Sequence, residues 1–132
     1  DVTYHKFELA TLAIKRGALF IGTNADTNLP NERGLVPGAG SVIALVERAT
    51  QQSALYIGKP EKIIMEMALE QFGLTKDQVV MVGDNYNTDI KAGLNAEMAT
   101  LLVYTGVSTP ADLAKVTAQP THIINSLAEW EV

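Results

Sequence analysis

The sequence predicts an α/β fold, a Rossmann-like parallel sheet with helices, on three observations. Short apolar runs without polar alternation recur at 18–21, 54–57, 79–82, 100–104 and 122–125. Segments with helical spacing separate most of them, and polar or glycine-bearing loops follow them directly. Runs of this kind belong to parallel sheets with both faces covered. Both faces of this sheet are therefore expected to be buried.

Taken in order, residues 3–16 place Phe7, Ala10, Leu12 and Ile14 at helical spacing, with Gly17 where a left-handed cap would end the helix. Ala18–Ile21 reads as a buried strand opening into the polar loop Gly-Thr-Asn-Ala-Asp-Thr-Asn. Residues 30–40, with two prolines and three glycines, read as a loop without regular structure. A second helix is predicted from Ser41, its N-cap, with Val42, Leu45, Val46 and Ala49 as the apolar stripe, fading near Thr50.

Ala54–Ile57 is the next strand, and Gly58-Lys59-Pro60 follows it directly. Ile63, Ile64, Met67, Ala68 and Phe72 then repeat at helical spacing up to Gly73, with Pro60 suited to the first turn. The pattern repeats with strand Val79–Val82, loop 83–89 and a short helix over 90–94, then strand Thr100–Tyr104 and a helix from Ala111. His122–Asn125 is a fourth strand, and Ser126 caps a last turn holding Leu127 and Trp130. The loop-heavy first part gives way to regular alternation near residues 50–54, which sets expected domains of 1–52 and 53–132.

At 132 residues, 47% of them apolar and 19% charged, the chain is long enough to bury a core and too rich in hydrophobics for disorder. The net charge of −5, without a Lys/Arg cluster, argues against nucleic-acid binding. No apolar run approaches the roughly 20 residues that span a bilayer, so no membrane partner is expected. The absence of cysteine excludes disulfides and thiolate chemistry and fits a cytoplasmic location. His5 and His122 lack neighbouring ligands and read as helix surface and strand edge, and the four methionines read as core filler.

Ligands of open parallel sheets bind at the carboxyl ends of the strands, which directs attention to Lys59, Asp84, Asp89 and Thr105. A lysine after one apolar run and Gly-Asp-x-x-x-x-Asp after the next bring a cation and two carboxylates to one rim. Such a set suits a phosphate ester with Mg²⁺, hard oxygens holding the metal while the lysine neutralises phosphate charge. The alternative for the aspartates is a turn residue and a helix cap.

Gly58-Lys59-Pro60 followed by Met81-Val-Gly-Asp84-Asn-Tyr-Asn-Thr-Asp89-Ile resembles the third and fourth motifs of the haloacid dehalogenase (HAD) superfamily of phosphohydrolases. Phe20-Ile-Gly-Thr-Asn24-Ala-Asp26, Gly34-Leu-Val-Pro-Gly-Ala-Gly40 and Leu101-Leu-Val-Tyr-Thr-Gly-Val107 resemble its NagD-like branch, which includes many 4-nitrophenylphosphatases. The resemblance implies that 1–52 is the later part of an α/β cap and 53–132 the later half of the catalytic core. It implies that Lys59 orients the nucleophile and the transferring phosphoryl group. Asp84 would ligate Mg²⁺, Asp89 would support that site directly or through other groups, and Asn85 would lie beside the metal or its waters. Asn24 and Asp26 would contact the leaving group of a small phosphorylated metabolite, the alternative being a strand-end turn.

The family's reaction uses an Asp-x-Asp pair as nucleophile and general acid/base, and this chain contains no Asp-x-Asp; the phosphate-binding Thr or Ser of the second motif also has no counterpart. Asn24-Ala-Asp26 imitates the pair, but it stands only 35 positions before Lys59, too few for the intervening elements. The expectation is thus a C-terminal portion of a longer phosphatase, cut ahead of Asp1 and inactive alone. The alternative is a non-catalytic phosphate-binding or interaction module completed by another chain; a receiver-like domain would need its lysine after the aspartate strand, and Lys59 precedes Asp84. A free sheet edge would allow homo-oligomers or strand pairing.

Overall fold

A computed structural model of the chain describes residues 2–130, which form two compact units, Asp1–Gly58 and Lys59–Val132. In the first unit, helix α1 (Tyr4–Lys15) is capped by Thr3, whose side chain accepts the Lys6 N–H. Its inward residues are Phe7, Ala10, Thr11 and Ile14, one helical stripe, while Leu12 is exposed, contrary to expectation. Arg16 ends the helix and Gly17 follows at φ +101°. Strand β1 (Ile21–Gly22) is shorter than the predicted 18–21 run.

Residues 30–40 are not irregular. Strands β2 (Asn28–Asn31) and β3 (Gly34–Pro37) form an antiparallel hairpin with Asn31 opposite Gly34. Asn31 Oδ1 accepts the Arg33 N–H at 2.8 Å, and Gly34 takes φ +117°, so the turn is built from the polar and glycine residues that read in sequence as an irregular loop. Pro30 and Pro37 are tolerated because a two-stranded ribbon has outward edges that need no N–H donor.

Helix α2 (Ala39–Thr50) begins two residues before the predicted Ser41 cap, with Gly38 at the N-cap. Ser41 Oγ instead donates to the Thr27 carbonyl at 2.6 Å. A Cβ on Gly38 or Gly40 would lie 2.4 Å from the Asp26 or Ala25 carbonyl oxygen, so only glycines let the helix start press onto this loop. The inward stripe is Val42, Ile43, Val46 and Thr50; Leu45 and Ala49 face outward. Strand β4 (Leu55–Tyr56) pairs in parallel with β1 and so lies in the first unit, which ends at Gly58, six residues past the expected domain end at 52.

In the second unit, helix α3 (Ile63–Phe72) ends at Gly73, φ +63°, as predicted, but Pro60 lies in the turn before it and not in its first turn. No α3 residue is fully buried; Ile64, Met67 and Phe72 of the predicted stripe are exposed, while Ile63, Met65 and Leu69 are half-buried. After a 3-10 turn (Lys76–Gln78) come β5 (Val80–Gly83), a π-helical turn (Tyr86–Ile90), α4 (Lys91–Asn95) and β6 (Ala99–Val103). Helix α5 (Pro110–Leu113), β7 (His122–Ile124) and a 3-10 turn (Leu127–Glu129) capped by Ser126 complete it.

The three strands form a parallel sheet in the order β5-β6-β7. Only the central strand meets the expectation of two covered faces: Thr100, Leu101, Leu102 and Val103 are all buried. At the edge, Val80 and Val82 are 37% and 40% exposed, and Ile123 of β7 is exposed too. The core gathers Tyr86, Ile90, Leu102 and Leu113. Each fully buried aliphatic side chain of this set contributes roughly 1.5–3 kcal/mol. Gly93 lets α4 approach the sheet, since a Cβ there would lie 2.5 Å from Thr100 Cγ2.

β7 is tied to β6 by a reciprocal polar pair. Thr100 N–H donates to Thr121 Oγ1 and Thr121 N–H to Thr100 Oγ1, both at 3.0 Å. Among the described residues no helix is long and apolar enough to cross a membrane.

Candidate functional site

The site in the second unit starts where β5 ends. Gly83, Asp84 and Asn85 leave the strand, and the chain enters a π-helical turn in which Asp89 and Ile90 N–H both donate to the Asn85 carbonyl. The widened turn carries one residue more than an α-turn would, and such turns recur at functional sites. Here it folds Asp89 back beneath the strand end. Asp89 is buried, 7% exposed, and its Oδ2 accepts the Asn85 N–H at 3.1 Å. Gly83 provides the room: a Cβ there would lie 2.2 Å from Asp89 Cβ and 2.5 Å from its Oδ2.

Lys59 reaches the same carboxylate. Its Nζ donates to Asp89 Oδ1 at 2.6 Å, with the lysine side chain 45% exposed and the aspartate 9%. A buried carboxylate thus fixes the position of an accessible ammonium, an arrangement suited to receiving an anion from solvent. The turn holding Lys59 has a second tie, Asn95 Nδ2 donating to the Pro60 carbonyl at 2.8 Å.

Asp84 projects from the strand end beside this pair in sequence and sheet position. Its Oδ2 accepts the Val107 N–H at 2.8 Å, and its carbonyl accepts the Ser108 N–H at 2.9 Å. Oδ1 accepts no hydrogen bond from the described residues. Asn85 Oδ1 is turned into its own loop, accepting the Asn87 N–H at 3.0 Å.

The structure therefore joins Lys59, Asp89 and Asn85 directly and places Asp84 one residue from Asn85. Asn24 and Asp26 lie in the first unit, at a cavity of about 260 Å³ lined also by Asn28, Pro37 and Gly38. There Asn24 Oδ1 accepts the Asp26 N–H at 3.0 Å, the strand-end turn expected as the alternative.

A magnesium ion fits this donor set in part. Asp84 Oδ1 is a hard, unengaged oxygen of the type Mg²⁺ prefers, and Asp89, with each oxygen engaged, is arranged to hold Lys59. Among the described residues no three His, Cys, Asp or Glu side chains come close enough to cage a metal. Further ligands would be water, the Asn85 amide or groups outside this chain. The Val107 and Ser108 contacts were not foreseen; the only signal was Thr-Gly-Val directly after an apolar strand.

Parallel strands, a Gly-Asp-x-x-x-x-Asp turn and a lysine paired to its second aspartate define a Rossmann-like α/β core with a charged cluster at a strand end. The HAD-hydrolase-like family profile matches residues 56–130, and the chain belongs to that family. It is 50% identical over 130 residues to the 5'-nucleotidase YutF of Bacillus subtilis, covering 98% of this chain and 51% of that protein. It is 49% identical over 129 residues to the acid sugar phosphatase of Staphylococcus aureus, covering 98% and 50%. Among solved structures, a thermostable NPPase of Geobacillus stearothermophilus superposes with a TM-score of 0.90 at 50% identity, covering 99% of this chain and 51% of that one. NagD of E. coli K-12 gives 0.87 at 35%, covering 98% and 50%. The chain spans about half the length of the relatives it matches.

Proposed function

We propose that the full-length protein is a Mg²⁺-dependent phosphatase of small phosphomonoesters, and that this chain supplies its phosphate-neutralising lysine and its metal aspartate. The observation carrying this reading is the 2.6 Å Lys59–Asp89 pair at the end of β5, next to Asp84. The phosphatase names of the relatives support the substrate class. In this mechanism Lys59 meets the phosphoryl oxygens and offsets their charge, while Asp89 keeps the ammonium aimed and Asp84 Oδ1 offers a metal ligand. The chemistry a bound magnesium supplies is further neutralisation of charge on the transferring phosphoryl group.

Asn85 would stand beside the metal or its waters, and substrate contact is the role proposed for Asn24 and Asp26, which are joined in the first unit's strand-end turn. The nucleophilic aspartate and its acid/base partner would come from outside this chain, which holds no Asp-x-Asp. Phosphoryl transfer to that aspartate and hydrolysis of the aspartyl phosphate complete the cycle. Cap and core are the roles proposed for the first and second units.

The deciding experiment assays the complete gene product against nucleotide, sugar and aryl phosphates with Mg²⁺ and with EDTA. Phosphate release that EDTA stops, and that Lys59→Ala lowers by about 100-fold or more in kcat/KM, is expected. Release insensitive to both would overturn the proposal.

A further inference from the structure

We propose that Gly106-Val107-Ser108, the segment after β6, positions Asp84 by tying one carboxylate oxygen inward and leaving the other for a cation. The inference rests on the reading of Asp84 as a metal ligand and names the residues that make it one. Three hydrogen bonds join the two loops. Val107 N–H donates to Asp84 Oδ2 at 2.8 Å, Ser108 N–H donates to the Asp84 carbonyl at 2.9 Å, and Tyr86 N–H donates to Ser108 Oγ at 2.8 Å. Ser108 is itself buried, 7% exposed, so the grip is anchored in the core.

Gly106 is the residue that makes the grip sterically feasible. Its backbone is not in the left-handed region, unlike Gly17, Gly34 and Gly73, so conformation does not demand a glycine there. Space does: a Cβ at this position would stand 1.9 Å from Asp84 Oδ2 and 2.5 Å from its Cγ. Any side chain at 106 must push the carboxylate aside or break the Val107 hydrogen bond. With the bond intact, Asp84 presents Oδ1 alone and can bind a hard cation through one oxygen.

The test is a titration of the ¹⁵N-labelled chain with MnCl₂, read as paramagnetic broadening of amide signals. In the unsubstituted chain, broadening is expected first at 84–85 and 106–108. Gly106→Ala should raise the Mn²⁺ concentration needed by about tenfold or more, as loss of a group orienting a ligand does. Its Val107 amide signal should also shift before metal is added. Gly73→Ala, strained at φ +63° but with nothing within 4 Å, should lower Tm and leave the titration unchanged, which separates positioning from stability. If Gly106→Ala does not fold, Val107→Pro, which deletes the N–H donor, replaces it with the same expected loss. Asp84→Asn should abolish the localised broadening. If Asp84→Asn abolishes it while Gly106→Ala titrates like the unsubstituted chain, the positioning role is wrong and the metal reading stands. If Asp84→Asn titrates unchanged, or no broadening localises at 84–85, the metal reading is wrong and the positioning role goes with it.

Discussion

Asp89 and Lys59 form an unequal pair, one carboxylate buried and one ammonium half in water. Removing the lysine strands an anion in the interior, whereas neutralising the aspartate leaves an ammonium that solvent can still hydrate. Lys59→Met is therefore expected to destabilise the chain more than Asp89→Asn, by roughly 1–3 kcal/mol. The double variant should regain part of that loss. Urea denaturation of the three variants checks this, and equal losses in the two single variants would contradict the asymmetry. Lys59, Asp84 and Asp89 were legible in the sequence because each follows an apolar run and each carries its chemistry in its side chain. The Val107 N–H was not, because every residue but proline carries the same backbone donor and only the fold says where it points.

Legibility at the scale of elements depends on whether local pattern or tertiary contact decides. Gly73 ends α3 where the local pattern puts it, whereas α5 starts at Pro110, one residue before the expected Ala111, with Thr109 as its cap. The β2–β3 hairpin was missed because its prolines lie on free edges, and the start of α2 because the fit of Gly38 and Gly40 onto the 25–28 loop has no local signature. The exposed stripe of α3 likewise reads in sequence as an inward face. The α5 cap also makes a pH prediction. The Thr109 hydroxyl and N–H hold the Asp112 carboxyl below its ordinary value of 3.8. A carboxyl depressed on folding stabilises fully above its unfolded value and loses that contribution as pH falls through the folded one. Thermal melts from about pH 6 to pH 3 should therefore show the unsubstituted chain losing its advantage over Asp112→Asn only below about pH 4. A constant gap across the range would count against the capping role.

At the scale of the molecule, β5 leaves Val80 and Val82 exposed at the edge of its sheet, and Lys59, Asp84 and Asp89 occur in a chain with no Asp-x-Asp that spans about half the length of the relatives it matches. An apolar groove of about 170 Å³, lined by Met65, Leu69, Phe72, Val80 and Met98, includes the exposed Val80 of that edge. The 132-residue chain by itself is expected to release no phosphate from p-nitrophenyl phosphate. Sustained release from a sample whose intact mass matches this sequence would disprove that. The paired threonines at 100 and 121 have a different consequence, one of inheritance. Each supplies the partner for the other's backbone donor, 21 residues away in the chain, so neither is free to drift alone. A lineage that replaces one must repair or replace the other, and across descendants the two positions should change as a couple.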